Sequence, residues 1–189
     1  MLRQQDILGT LRMVQEEHLD VRTVTLGINL NRCARRDPVE QAEAVYTRIV
    51  ACAKDLVGLC NQCAERYGVP IVNKRIAISP ASVLLEEHDP ASAVLLAEAL
   101  DRAARAVGID LLGGFSALVH KGMTPGARAL IAAIPRALTR TQRVCASVNV
   151  ATTRAGMNVD AILMVARTLV ETAAASAAQR GFAAAKLVV

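Results

Sequence analysis

Four strand-like segments of this sequence carry apolar residues on one parity and small polar residues or glycine on the other. In RVCASVNVATTRAG (143–156) the two alternating sets are Val144, Ala146, Val148 and Val150 against Cys145, Ser147 and Asn149. The same alternation runs through VRTVTLGINL (21–30), PIVNKRIAISP (70–80) and IDLLGGFSALVH (109–120). It is broken at three positions, Lys74, Leu112 and Leu118. A strand with this pattern buries one face in an apolar core and turns the other toward something polar.

The two-faced pattern narrows the choice of α/β fold. Strands of a doubly wound sheet carry helices on both faces and read as nearly continuous apolar runs. Here the pattern predicts helices on one face only, as in a sheet that curves into a barrel. Thr, Ser, Asn and Gly would not fill a standard eight-stranded barrel, whose interior takes bulky branched residues. A wider barrel is therefore favoured, with further sequence or a partner chain supplying the missing strands, and an open parallel α/β sheet is the alternative.

Strands alternate with helices along the whole chain. Helices are predicted near 1–16, 39–67, 91–107, 125–139 and 157–179, and strands near 21–30, 70–80, 109–120, 143–156 and 184–189. Asp37-Pro38 and Asp89-Pro90 mark helix starts, and Gly68, Gly108 and Gly181 mark helix ends. Pro135 is expected to kink its helix or to begin a new turn. This order predicts crossover connections and a parallel sheet in one unit over 1–189, which we expect to be the first half of a longer domain.

Composition and charge exclude several classes of protein. Hydrophobic residues make up 53% of the 189 residues, so disorder is excluded. The sequence has no run of eighteen uncharged apolar residues and no signal-peptide core, which predicts a cytoplasmic protein without membrane contact. The net charge of +5 is scattered, and aromatic residues make up only 2%. Nucleic-acid binding is disfavoured by this pattern, and a small anionic ligand is favoured.

The five cysteines are predicted to be free thiols, because their number is odd and no secretory signal is present. Cys60 and Cys63 form a CxxC within a helical pattern, close to its end. Neither a second pair nor a nearby histidine completes a zinc site, and redox CxxC pairs lie at helix starts. We predict ordinary packing on a helix face. No metal site and no cofactor are evident.

Parallel strands deliver their following loops to one rim, and ligands gather there. Asn29, Asn31 and Cys33 follow the first strand, Ser79 the second, and His120 and Lys121 the third. After the fourth come Thr152, Thr153 and Arg154, and then Gly156 and Asn158, which are expected to open a helix whose free N–H groups favour an anion. The alternative is that Thr153 or Asn158 merely caps that helix. The predicted ligand-binding residues are Asn29, Ser79, Ser116, Ser147, Asn149, Thr152, Thr153, Arg154 and Gly156.

Catalytic residues are harder to identify, and the candidates are Cys145, His120 and Lys121. Cys145 would act as a nucleophile only beside a base, and a buried free cysteine is usually inert. Asn73, Lys74 and Arg75 are expected near the start of the second strand, on the opposite rim, as contacts to neighbouring elements. Gly113-Gly114 predicts a bulge or a close backbone approach, not a phosphate loop.

Several blocks of the sequence resemble a known family. VRTVTLGINL, PIVNKRIAISP, LGGFSALVHKG, IPRAL and RVCASVNVATTRAGMNVDAI are similar to signature blocks of domain of unknown function 711, also called uncharacterised protein family 0210 or the PFL family. The resemblance implies the N-terminal half of a ten-stranded α/β barrel like that of pyruvate formate-lyase. It implies no assigned reaction, and no glycyl-radical chemistry is expected. Cys60 and Cys63 lie outside these blocks, and His120 stands where Gln is common, which weakens a catalytic role for it.

Three functions are compatible with these features. The first is an enzyme acting on a small carboxylate or phosphate metabolite that Arg154, Lys121, Ser147 and Asn149 orient. The second is a non-catalytic metabolite sensor with the same cavity. The third is a scaffold whose polar face packs on another chain. Separately, a half barrel is expected to associate with the missing C-terminal half or with itself, because unpaired sheet edges promote association.

Overall fold

The computed structural model describes residues 4–17 and 21–189, so the first three residues of the predicted N-terminal helix lie outside the described part. The elements in chain order are α1 (Gln4–Gln15), β1 (Val21–Ile28), α2 (Pro38–Ala53), α3 (Leu56–Tyr67), β2 (Ile71–Ile78), α4 (Pro90–Val107), β3 (Leu111–Leu118), α5 (Pro125–Arg140), β4 (Val144–Asn149), β5 (Ala151–Thr152), β6 (Gly156–Met157), α6 (Val159–Ala175) and β7 (Leu187–Val188). Short 3-10 helices span Asn31–Cys33, Ala81–Leu85, Ala177–Gln179 and Phe182–Lys186.

Five strands form one parallel sheet in the order β1-β2-β3-β4-β7. Each crossover joins neighbouring strands, and because such crossovers are right-handed, this order places the connecting helices on one face. In agreement, α2 packs on α4, α4 on α5, and α5 on α6 in a single layer. The predicted α/β class is confirmed, and within this chain the parallel sheet is open.

The apolar parity of the strands faces the helices. Ile28, Ile76, Phe115 and Val148 from four adjacent strands are buried and belong to one hydrophobic cluster with the helix side chains. Burial of apolar surface contributes about 25 cal/mol per Å², so this layer is the main source of stability. The opposite parity of the same strands lies on a face that no described helix covers, which we call the open face.

A β-bulge explains why Leu112 broke the alternation. Leu112 pairs with Val144 and Phe115 pairs with Ala146, so three steps along β3 oppose two along β4. The extra residue returns Leu112 and Phe115 to the same buried face. The prediction of a bulge at Gly113-Gly114 is therefore confirmed, whereas Leu111, expected on the apolar side, belongs to the other parity.

The predicted helix boundaries follow from local capping chemistry. The Asp37 carboxylate accepts the N–H groups of Val39 and Glu40, each at 2.8 Å, and the Asp89 carboxylate accepts the N–H of Ser92 at 2.8 Å. Gly68 and Gly108 end α3 and α4 in the left-handed conformation, which costs glycine little. These starts and ends agree with the sequence prediction.

Three predicted helices differ from the observed ones. The helix expected over 157–179 ends at Ala175, so Gly181 does not mark its end. The helix expected over 39–67 is two helices, because the chain turns at Lys54 and Asp55. Both residues keep near-helical dihedral angles. The helical spacing of apolar residues therefore continues across the turn, and the sequence pattern does not reveal the break. In contrast, α5 continues through Pro135 to Arg140, so this proline begins no new element.

Two predicted strands are shorter than expected. β4 ends at Asn149, and the residues after it form the hairpin β5–β6 instead of continuing the strand. The fifth strand consists only of Leu187–Val188, because residues 182–186 form a 3-10 helix. In that helix the Lys186 ammonium donates to the carbonyl oxygens of Leu138 and Thr141, which fixes where the last strand starts.

A buried carboxylate ties the helix layer to the start of β4. The Asp101 side chain of α4 is fully buried and accepts the N–H groups of Gln142 and Arg143 at 2.9 and 2.7 Å. Arg105, one helical turn along, forms an ion pair with the same carboxylate. The turn between α5 and β4 is thereby held in place, since a buried charge must be paired and hydrogen-bonded to be tolerated.

No helix within 4–17 and 21–189 is long and apolar enough to cross a bilayer.

Candidate functional site

The open face is built from rows of residues at matching register in adjacent strands. Thr25 pairs with Arg75, which pairs with Leu111, and in the next row Gly27 pairs with Ala77, which pairs with Gly113. The second row carries no side chain larger than a methyl group. This part of the open face therefore lacks bulky side chains, and polar groups of β1 and β2 border it.

Two predicted ligand-binding residues lie side by side on the open face. Ser116 of β3 pairs with Ser147 of β4. The Ser116 hydroxyl is buried and donates to the carbonyl oxygen of Gly114 at 3.3 Å, while Ser147 is half-buried. Two residues further along each strand, Asn149 is exposed beside Leu118. The alternation in the sequence thus brought these three polar residues to one surface.

Asn29 and Ser79 lie at the carboxyl ends of β1 and β2, where both side chains support the loop after β1. The Asn29 amide oxygen accepts the N–H of Asn31 at 2.9 Å, and the Ser79 hydroxyl accepts the N–H of Leu30 at 3.0 Å. The Ser79 N–H in turn donates to the carbonyl oxygen of Ile28. Both residues lie at the predicted rim, and their side-chain oxygens already accept backbone N–H groups of the loop after β1.

The segment from Thr152 to Gly156 does not form a helix start, and that prediction is wrong. Thr152 and Gly156 pair across the hairpin, and the Thr152 hydroxyl accepts the N–H of Ala155 at 3.0 Å. Gly156 has a φ of 75°, which favours glycine at this turn. Thr153 and Arg154 are exposed between the two strands. The cluster therefore offers a guanidinium and a hydroxyl on a hairpin, without a helix dipole behind them.

Asn158 caps the start of α6, as the alternative interpretation predicted. Its side-chain oxygen accepts the N–H of Ala161 at 3.1 Å, and its side-chain nitrogen donates to the carbonyl oxygen of Val119 at 2.7 Å. The second bond fixes α6 to the end of β3, since the cap cannot move without losing it. Thr153 does not cap the helix.

His120 and Lys121 follow β3 at the same rim. His120 is half-buried, and its Nδ1 is shielded from solvent without a hydrogen-bond partner among the described residues. Lys121 is exposed. In the part of the chain that the structure describes, neither side chain forms a hydrogen bond with Cys145, so no nucleophile–base pair is assembled there.

Arg75 lies on the open face, level with the start of β3. It pairs with Thr25 of β1 and with Leu111, the first residue of β3, so it lies toward the amino-terminal rim of the sheet, as the sequence predicted. Its Nε is shielded from solvent and has no hydrogen-bond partner among the described residues. The strand parity had signalled this face, because Arg75 alternates with buried Ile76.

The Cys145 thiol is not activated by its surroundings. Burial raises the pKa of Cys145, and the nearby positive charges of Lys186 and Arg75 oppose that rise only in part. The thiol is therefore protonated at neutral pH, and the thiolate that nucleophilic attack requires is scarce. The position of Cys145 favours the inert interpretation over the nucleophile.

The CxxC pair lies on α3, away from the open face. Cys60 is buried and Cys63 is exposed, which agrees with packing of one helix face. Burial also raises the pKa of the Cys60 thiol. Over residues 4–17 and 21–189, no three His, Cys, Asp or Glu side chains converge in the way that a metal site requires.

Comparison with known proteins gives one consistent family. The model of the family described as uncharacterised ACR (DUF711) matches residues 12–189. A UPF0210 protein of Syntrophotalea carbinolica is 49% identical over all 189 residues, which make up 42% of its own length. A UPF0210 protein of Methanococcoides burtonii is 46% identical over the same residues, again 42% of its length. The chain thus spans about two fifths of the length of these curated relatives.

Proposed function

The chain belongs to the uncharacterised DUF711 family, and from that premise we propose that its open face binds a small anionic metabolite. One observation carries the proposal. The Arg75 guanidinium lies on a sheet face without helices, and its Nε is shielded from water without a partner among the described residues. A buried polar group of this kind is rare in native proteins, and an anion would supply the missing acceptor.

Side chains further along the sheet, toward the carboxyl ends of the strands, offer groups for the same ligand class. Ser147 and Asn149 offer neutral hydrogen-bond donors on β4, and Arg154 and Lys121 add positive charge where the strands end. The row of Gly27, Ala77 and Gly113 leaves space for a ligand to approach the backbone closely. A carboxylate or phosphate group fits this combination of guanidinium, hydroxyl and amide groups.

A metabolite sensor is the second candidate, and the raised pKa of Cys145 favours it over covalent catalysis. In the enzyme interpretation, Arg154 and Lys121 orient the anion while Ser147 and Asn149 hold the rest of the substrate. In both interpretations we propose a cytoplasmic protein. The two differ in whether a bound metabolite is converted.

A thermal-shift screen with small carboxylates and phosphorylated metabolites tests the binding proposal. Each hit is then measured against the double variant S147A/N149A and against N61A, which removes an exposed amide from α3. We expect the double variant to lose the stabilisation and N61A to keep it, because ligand binding stabilises only the form that binds. Turnover of a hit would identify an enzyme, and binding without turnover a sensor. If no anion in the screen stabilises the chain, both the enzyme and the sensor interpretation are contradicted.

We also propose that the sheet is extended by strands outside this chain. The relatives are more than twice as long as this chain, and β1 and β7 each leave a sheet edge unpaired within the described residues. A ten-stranded barrel completed by the remaining length would enclose the open face. In the scaffold alternative, the same face packs on another chain, and S147A/N149A would weaken association instead of ligand binding. Size-exclusion chromatography of the 189-residue chain tests exposure of the edges, since a stable monomer would argue against it.

A further inference from the structure

A second basic site lies away from the centre of the open face, beside the end of β1. The 3-10 turn after β1 and one side of α2 line a cavity of about 570 Å³ that is open to the surface. Its lining includes three arginines together with an amide and a hydroxyl group, namely Arg32, Arg35, Arg48, Asn29 and Thr47. The volume lies within the range of roughly 300–1,000 Å³ that is usual for small-molecule sites.

The three guanidinium groups are not neutralised by the chain. None of them forms an ion pair with a carboxylate that the structure describes. Glu43, which also lines the cavity, is engaged by Arg102 at 2.5 Å, so its charge is already compensated. All three arginines are exposed, so water and salt screen part of their mutual repulsion, and a bound anion would relieve the remainder.

The loop that carries Arg32 and Arg35 is held firmly by buried contacts. The Gln41 side chain is buried, accepts the N–H of Arg35 at 3.0 Å and donates to the carbonyl oxygen of Leu84 at 3.0 Å. The His88 ring donates to the Arg35 carbonyl oxygen at 2.9 Å. Bonds of this kind fix the loop before any ligand arrives, and a site that is already ordered loses less entropy on binding.

The Arg35 side chain is itself oriented by its own loop. Its Nη1 donates to the carbonyl oxygens of Arg32 and Ala34 at 3.1 and 2.7 Å. Its remaining N–H groups form no hydrogen bond with the described residues and are free to bind a ligand. On the facing side, Arg48 lies one residue after Thr47 on α2, so a guanidinium and a hydroxyl line the cavity together.

We propose that this arginine cavity binds a phosphoryl group, either as free phosphate or as a small phosphate monoester. A phosphoryl group carries about −1.5 to −2 charges near neutral pH, which suits three uncompensated guanidinium groups better than a single carboxylate does. Planar N–H forks bind its oxygen atoms in pairs. The site differs from the open-face site in its residues, apart from Asn29 at the shared rim, and does not depend on that site.

Isothermal titration of the 189-residue chain at constant ionic strength tests this proposal. The probes are inorganic phosphate and glycerol 3-phosphate, with glycerol and acetate as controls. We expect both phosphoryl compounds to bind, and R32Q and R48Q each to weaken binding roughly tenfold or more, as loss of a charged hydrogen bond does. R167Q is the matched control, since it removes an exposed arginine from α6. Circular dichroism verifies that each variant remains folded.

The outcomes separate the proposals. Phosphate binding that R48Q abolishes and R167Q preserves supports the site, and tighter binding of glycerol 3-phosphate than of phosphate identifies a monoester as the natural ligand. Equal binding by wild type, R32Q and R48Q, or the absence of binding by both phosphoryl compounds, overturns it. S147A/N149A should leave phosphate binding at the arginine cavity unchanged, because neither residue lines that cavity. The two proposals can therefore fail independently of each other. R48K should bind with intermediate affinity, because a lysine keeps the charge and loses the fork.

Discussion

Gly114 lies directly against Ile78, so that a side-chain carbon added at Gly114 would stand 2.5 Å from both the Cγ1 atom and the carbonyl oxygen of Ile78. The contact occurs at the bulge of β3, where β2 and β3 run side by side. Gly114 also has a φ of 107°, a conformation that other residues rarely adopt. The bulge that keeps Phe115 in the core therefore depends on glycine at this position.

Substituting Gly114 with alanine is expected to lower the free energy of unfolding by roughly 2–5 kcal/mol. The cost of the positive φ and the cost of the steric clash with Ile78 of β2 both contribute. Urea unfolding followed by circular dichroism measures the change. G113A is the matched control, since a carbon added at Gly113 meets no atom within 4 Å. If G114A and G113A had equal unfolding free energies, the close approach to Ile78 would not limit stability.

Replacing Lys186 with methionine is expected to lower the unfolding free energy by about 2 kcal/mol, because the buried carbonyl oxygens of Leu138 and Thr141 lose their donor. Burial lowers the pKa of Lys186, so the variant also escapes a desolvation cost. We expect the unpaired carbonyl groups to outweigh that gain. K54M, which removes an exposed lysine, should have little effect in the same urea titration. An unchanged or increased stability of K186M would show that desolvation dominates.

The cap of α4 should make stability depend on pH in the acid range. Hydrogen bonds from the hydroxyl and N–H of Ser92 lower the pKa of Asp89 below 3.8. A carboxylate with a lowered pKa stabilises the fold fully above 3.8, and this contribution is lost as the pH falls through the lower folded-state value. D89N retains an acceptor but does not titrate, so its melting temperature should fall less on acidification than that of the wild type.

Thermal melts from about pH 5 to pH 2 measure this difference, over the range in which carboxylates take up protons. D55N is the control, because Asp55 heads α3 without a side-chain capping bond. Identical acid dependence of the wild type and D89N would contradict the role of the Asp89 carboxylate.

Thiol alkylation should follow exposure and thiol pKa. Cys52 and Cys63 are exposed, whereas burial raises the pKa of Cys33, Cys60 and Cys145. With iodoacetamide near neutral pH, we expect the three latter residues to react roughly tenfold or more slowly, since the thiolate is the reactive form. Peptide mass spectrometry gives the rate at each site, and urea-unfolded protein supplies the reference. If Cys145 were labelled first, it would be an activated nucleophile and the enzyme interpretation would gain support.

Parts of the candidate site were predictable from sequence because they depend on short-range periodicity. Alternation at period two placed Ser116, Ser147 and Asn149 on one face, since successive side chains of a strand point to opposite sides. Capping signals located the starts of α2 and α4, since a carboxylate close to free N–H groups acts within one turn. The arginine cavity carried no such local signal, because Arg32 and Arg48 come from different elements.

The amino-acid sequence by itself determined the fold class, the apolar and polar faces of the strands, and most helix boundaries. These properties depend on residues within a few positions of one another. Only the tertiary structure decided the shielding of the Arg75 Nε atom from solvent, the hairpin that carries Arg154, and the arginine cavity beside α2. Each of these depends on how distant elements pack, as when Gln41 joins Arg35 to Leu84, and packing between distant elements leaves no periodic trace along the chain.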